Sequence, residues 1–126
     1  MEPRVLHLAD VVRIHVDQIE RHGGPSGIRD LGFLQSAIAM PQASFDGEWL
    51  HRDLYEMAAA YAFHLSRNHA FIDGNKRTAL ACALVFLEIS GISIQDTEER
   101  LYQTMNEVAS GDLNKLGLAQ VFQELE

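Results

Sequence analysis

The segment His69-Ala70-Phe71-Ile72-Asp73-Gly74-Asn75-Lys76-Arg77 concentrates the residue types that phosphoryl or nucleotidyl transfer needs. His69 is a candidate general base, because an imidazole changes charge near neutral pH. Asp73 is a hard oxygen donor of the kind Mg²⁺ uses together with substrate phosphates. Gly74 lets a ligand approach the backbone with no side chain in the way. Asn75 can cap a helix or hold the loop. Lys76 and Arg77 fall in the first turn of the helix that follows, where positive charge opposes the helix dipole. Two cations in that place fit a site meant for an anion, because free backbone N–H groups at a helix N-terminus also favour one. Phe71 is apolar and is expected to anchor the loop in the core.

Two strong helices must hold this segment. The first starts at Asp53, with Glu56 three residues on as in a capping box. It carries an apolar stripe of Leu54, Met57, Ala58, Tyr61, Ala62 and Leu65 and stops near Asn68-His69. The second runs from near Asn75 to Ser90. It is apolar or small through most of Thr78 to Leu87, which predicts a central helix buried on most sides, and Gly91 supplies its C-terminal cap.

The remaining pattern is also helical. Val12, Val16 and Ile19 share one face between Ala9 and about His22, and Gly23-Gly24 is the stop. Gly23 to Gly27, with Pro25, is a loop. Asp30 caps a short helix with Leu31, Leu34 and Ile38, and Pro41 is expected to end it. Gln42 to Arg52 is irregular. Asp46-Gly47 reads as a turn, which leaves room for a small β-hairpin around Ser44 to Trp49. Ile92 to Gln95 could form a short extended segment. Two amphipathic helices close the chain, one on Leu101, Met105 and Val108, the other on Leu118, Val121, Phe122 and Leu125. The expectation is an all-α fold of about six helices with a buried central helix, forming one domain over residues 1–126.

The loop resembles the signature of the Fic/Doc family, His-x-Phe-x-Asp/Glu-Gly/Ala-Asn-Gly/Lys-Arg. Gly27-Ile28-Arg29-Asp30, Pro41-Gln42-Ala43 and Asn75 to Leu80 resemble its death-on-curing (Doc) branch. The likeness extends over roughly Leu6 to Gly111. It implies a compact helical bundle in which His69 takes the proton of a target hydroxyl and Asp73 holds Mg²⁺ on the phosphates of ATP. Gly74, Asn75 and Lys76 would form an anion hole, Arg77 would neutralise phosphate charge, and Ser44, Phe45, Asp46, Gly47 and Glu48 would act as a flap aligning the target chain. Lys76 stands where AMP-transferring relatives carry glycine, and Leu80 where they carry a second arginine. Both features match the Doc branch, which resembles a kinase that transfers the γ-phosphoryl. The resemblance further implies a toxin acting on a threonine of a translation elongation factor, arresting growth, and restrained by a small antitoxin protein. Self-inhibited relatives carry a Ser/Thr-x-x-x-Glu helix. Only Ser44 to Glu48 has that spacing here, in a segment that does not read as helix, so inhibition by a partner is expected.

Rival readings stay open. One is AMP transfer to a protein hydroxyl. Another is a metal-dependent hydrolase using His64, His69 and Asp73, which would leave Asn75-Lys76-Arg77 without a role. A third is a non-catalytic partner-binding module. His7, His15, His22 and His51 show no ligand spacing, His64 reads as core or surface, and Met57, Tyr61 and Phe63 read as packing. Phe45 and Trp49 are apolar in an irregular stretch and could face a partner.

Bulk properties narrow the classes. The 126 residues carry a formal charge of −8, which argues against general binding to nucleic acid or an anionic membrane. Cys82 is alone, so no disulfide can form within the chain, and it reads as a small core residue. No run approaches the ~18 apolar residues of a membrane span, and Met1 to Leu8 lacks the apolar core of a signal peptide. A cytoplasmic setting is expected.

Overall fold

The computed structural model describes residues 3–96 and 99–126. Six α-helices order these residues: α1 (Leu8–His22), α2 (Leu31–Ala39), α3 (Leu54–Arg67), α4 (Asn75–Ile89), α5 (Arg100–Ser110) and α6 (Lys115–Glu124). A 3₁₀ turn, Met40–Gln42, follows α2. Two two-residue strands, β1 (Ser44–Phe45) and β2 (Glu48–Trp49), pair antiparallel with Phe45 opposite Glu48. Asp46 and Gly47 join them with φ of 54° and 80°. Positive φ at both turn residues is what an Asp-Gly hairpin connection supplies.

α3 and α4 form the centre, packed along each other. Met57 to Ala62 are all fully buried, and so are Ala79, Cys82, Ala83, Phe86 and Leu87 on α4. The small residues at Ala58, Ala59, Ala79 and Ala83 let the two backbones come close. Large side chains then fill the flanks. Tyr61 and Phe86 meet with ring centroids 5.2 Å apart, and Phe122 of α6 is fully buried. Tyr61 also has its hydroxyl oxygen accepting from the Leu6 N–H at 2.8 Å, which ties the N-terminal segment to the core.

Helix ends follow the sequence closely. Asp30 Oδ1 accepts from Phe33 N at 2.9 Å and Asp53 Oδ1 from Glu56 N at 2.8 Å. The Glu56 carboxylate accepts from Arg52 N at 3.1 Å, one residue before the position a capping box uses. Gly91 takes φ of 99° just beyond α4, as expected of a C-terminal stop. α2 ends at Ala39, just before Pro41, as expected, although Met40 keeps helical angles (φ −59°, ψ −43°) and Pro41 sits inside the 3₁₀ turn, where its missing N–H has no partner to lose. Ile92 to Gln95 lies outside every helix and pairs with no strand among the described residues. It is pinned by single bonds, Ile92 N to Leu87 O at 2.8 Å and Gln95 N to Leu125 O at 2.8 Å.

α6 is fastened to α3 by an unusual group. Lys115 Nζ donates toward the Nε2 atoms of His64 at 3.1 Å and His51 at 3.5 Å. Burial first, then the charges of Lys115, His51 and Arg67, push the His64 imidazole down to about 4. The folded state therefore keeps His64 neutral where the unfolded chain, below its ordinary 6.5, takes up a proton. Between about pH 6.5 and 4 the unfolded state binds more protons, so stability falls as pH falls. The expected loss is on the order of 2 kcal/mol by pH 4.5, read as a lower melting temperature. His64→Gln should reduce that slope, with His51 and His15, whose proton affinity burial also lowers, keeping the remainder, and should leave the melting temperature at pH 8 close to the parent's. An unchanged slope in His64→Gln would remove His64 as the source.

Candidate active site

The signature loop begins where α3 stops. Asn68 closes the helix, and its Nδ2 donates to the Phe33 carbonyl at 3.2 Å. His69 then turns left-handed, with φ of 48°. Such angles are uncommon outside glycine and need support from the surroundings. The support comes from a distant segment. Arg29 Nε and Nη2 both donate to the His69 carbonyl, at 2.8 and 2.6 Å. The N–H groups of Arg29 and Asp30 donate to Ala70 O at 2.7 and 3.1 Å, and Ile72 N donates to Gly27 O at 3.0 Å. Ile28 and Phe71 form an isolated antiparallel bridge. Gly27 to Asp30 thus lies along the loop like a single strand.

From below, Phe71 anchors the loop, 2% exposed. Its ring stacks on His15 of α1, with centroids 3.8 Å apart and planes 11° from parallel. His15 Nδ1 lies 2.9 Å from Thr78 Oγ1 on α4, so one imidazole joins α1, the loop and α4. Burial lowers the His15 proton affinity, opposed by the Asp73 carboxylate and reinforced by Arg77. Asn75 closes the loop on itself: its Oδ1 accepts from Phe71 N and its Nδ2 donates to Phe71 O, both at 3.0 Å. That spends the Asn75 side chain inside the loop and leaves its backbone N–H for the anion cradle.

Gly74 is the N-cap of α4, with φ of 74°. A Cβ there would lie 3.3 Å from both Arg77 Nη2 and Ile19 Cδ1, so conformation and space both ask for glycine. Gly24 gives room on the far side, since a Cβ at that position would collide with the Asp73 carboxylate. Arg77 Nη2 donates to Gly23 O at 3.3 Å, and Lys76 Nζ donates to Asn106 Oδ1 on α5 at 2.8 Å. His69, Asp73, Gly74, Asn75, Lys76 and Arg77 all line one cavity of about 650 Å³, open to solvent and shared with Gly23, Gly24 and Tyr102. His69 and Lys76 also border a second cavity of about 360 Å³ with Ser66 and Arg67. The expected flap residues Ser44 to Glu48 line neither cavity, though the hairpin exposes Phe45 (82%) and Trp49.

Among the described residues no group of three or more His, Cys, Asp or Glu could hold a metal by itself. His64 points instead to Lys115. A hydrolase built on His64, His69 and Asp73 therefore has no assembled metal cage. One exposed carboxylate beside an anion cradle suits a Mg²⁺ held mainly by phosphate oxygens and water, and Asp73 fits that role.

The residue that sequence reasoning passed over is Arg29. It was legible only as part of a resemblance, while its task depends on a contact 40 residues away. Arg29→Met should lower the turnover number of any reaction that uses His69 by about ten- to a hundredfold, since small misplacements of a reacting group have effects of that size. The nucleotide KM should move less than threefold. An unchanged turnover number would show that the His69 carbonyl needs no such hold.

Comparison with known proteins agrees with this geometry. The model of the Fic/DOC family matches residues 5–87. The chain is 46% identical over 92 residues to a protein named Toxin Doc of Mycolicibacterium smegmatis, covering 71% of each chain. It is 34% identical over 116 residues to a protein named Protein kinase doc of Escherichia phage P1, covering 92% of this chain and 90% of that one. With the signature loop, its helical frame and these relatives in agreement, the chain belongs to the Fic/Doc family.

Proposed function

We propose that this protein is a Doc-type toxin that transfers the γ-phosphoryl group of ATP to a Ser or Thr hydroxyl of a target protein. The observation that carries the reading is the convergence of a candidate base, a lone carboxylate, a helix N-terminus and two cations on one open cavity. In the step proposed, His69 accepts the proton of the target hydroxyl as its oxygen bonds to the γ-phosphorus. The bond from that phosphorus to the β-bridging oxygen breaks, and ADP leaves. The N–H groups at the start of α4 and the side chain of Arg77 face the phosphoryl oxygens and stabilise the charge spread over them. Mg²⁺ held by Asp73 would offset phosphate charge when bound. The names of the two relatives support the toxin and kinase assignments. A translation elongation factor is the proposed target class and a small antitoxin the proposed restraint, both carried by the Doc resemblance. The hairpin at Ser44–Trp49 is the proposed target-aligning flap, with exposed Phe45 and Trp49 as its contact surface.

Intact mass of a cell extract incubated with the protein, Mg²⁺ and ATP tests the reading. The expected product is one protein heavier by a phosphoryl group, labelled from γ-³²P and not from α-³²P ATP. A nucleotidyl increment labelled from α-³²P would replace phosphoryl transfer with AMP transfer. No label from either nucleotide, alongside growth arrest that survives loss of His69, would replace both with a binding module.

A further inference from the structure

The cavity at the signature loop holds Asp73, the N-terminus of α4 and the Arg77 guanidinium. Beside it lies a small cleft of about 40 Å³ that shares Lys76, Arg77 and Tyr102 with it and is also lined by Leu80, Met105 and Asn106. Phosphates belong in the first, where donors and positive charge are. The surface exposed in the second is almost wholly apolar, so a phosphate gains little there. Tyr102 stands between the two on α5, 58% exposed. Its hydroxyl appears in none of the hydrogen bonds among the described residues, in contrast to Tyr61, whose hydroxyl is used in the core. A large exposed ring at the lip of a charged cavity contributes nothing to the core and offers a flat apolar face beside the ligand.

Resting on the proposed function above, we propose that Tyr102 is a nucleotide-positioning residue: its ring stacks on the base of the bound nucleoside triphosphate, with Leu80 and Met105 beneath. The direction of the nucleotide follows from this. The phosphate chain runs from Tyr102 toward Gly74, so the terminal phosphoryl group reaches His69 and the base stays at α5. The Lys76–Asn106 hydrogen bond at 2.8 Å holds α5 against the start of α4 and so fixes the distance between ring and cradle. Stacking accepts any base face, so the contact favours nucleotides over bare polyphosphate without choosing strongly among bases.

The test is calorimetric titration of the intact protein with a non-hydrolysable ATP analogue and, separately, with inorganic tripolyphosphate, each with Mg²⁺. Tyr102→Ala should weaken the analogue about tenfold or more and leave tripolyphosphate within twofold. Tyr102→Phe should keep the parent affinity for both, since the ring and not the hydroxyl is at work. Thermal melts of the variants should match the parent, as the side chain is largely exposed. If the parent binds the analogue and Tyr102→Ala binds it equally well, the inference fails and the proposed function stands. Failure to bind the analogue in the parent itself overturns both. A variant whose analogue affinity is intact but whose KM for the target protein rises would move the ring to target recognition and overturn the inference.

Discussion

His69→Ala should reduce phosphoryl transfer by about a hundred- to ten-thousandfold, the range a positioned general base contributes. The fold should be unaffected. His69 is exposed, and among the described residues its imidazole takes part in no hydrogen bond; the bonds that hold the residue reach its carbonyl. Alanine keeps that carbonyl. It must also adopt the left-handed φ of 48°, which histidine tolerates somewhat better than alanine, a small cost beside the bonds that hold the carbonyl. The melting temperature should thus stay within a few degrees of the parent's, and nucleotide affinity should change little because Asp73, Gly74, Arg77 and the start of α4 remain. The measurement is single-turnover transfer from γ-³²P ATP, set beside growth arrest in cells. Loss of transfer with loss of arrest supports catalysis as the toxic act. Full transfer by His69→Ala would remove His69 as the base and send the search to another group at the cavity. Arrest without transfer would make partner binding the active property.

Much of this site is readable from the chain before any fold is known, and the reason is physical. The loop residues act within nine positions of one another, so their spacing alone sets which groups can meet. The helices on either side are read from apolar period, caps and Gly91. The hairpin is read from Asp46-Gly47, whose left-handed angles few other pairs adopt as readily. What escapes is everything set by contacts between distant segments. Nothing local in Gly27 to Asp30 announces that it will pair with His69 to Ile72, and nothing in α1 marks His15 as the ring beneath Phe71. His15 reads from the sequence as a histidine without ligand spacing, which it is; its work is packing and one hydrogen bond. Asn75 is legible at short range: its type suggests a cap or a hold on the loop, and the folded loop takes the second, with the side chain bonded to Phe71 N and O. Pro41 reads as a stop and α2 does end before it; the chain keeps turning for one 3₁₀ turn because a proline near its start loses no hydrogen bond.

Phe71→Ala is expected to have the largest effect on stability of any change in the loop. The ring is 2% exposed and fills the space between His15, α3 and α4. Truncating a buried phenylalanine costs about 3–5 kcal/mol, and a domain of this size has roughly 5–15 kcal/mol in total. The melting temperature should fall by about 10 °C or more. Activity should fall as well, even well below the new melting temperature, because the contacts are in series. Without the ring, His15 loses its stacking partner. Phe71 N and O, which hold Asn75, gain freedom, and the left turn at His69 is then supported only by the Gly27 to Asp30 segment on its other side. Phe71→Leu separates the two effects. Leucine restores most of the buried volume, so about two-thirds of the lost stability should return. It cannot stack flat on the imidazole, so the turnover number should remain several-fold below the parent's. The check is a pair of measurements on each variant, thermal melting and transfer rate at a temperature where all are folded. If Phe71→Ala melts within 2 °C of the parent, the loop is not anchored through this ring. If Phe71→Leu regains full activity, burial alone and not the flat contact with His15 holds the loop in register.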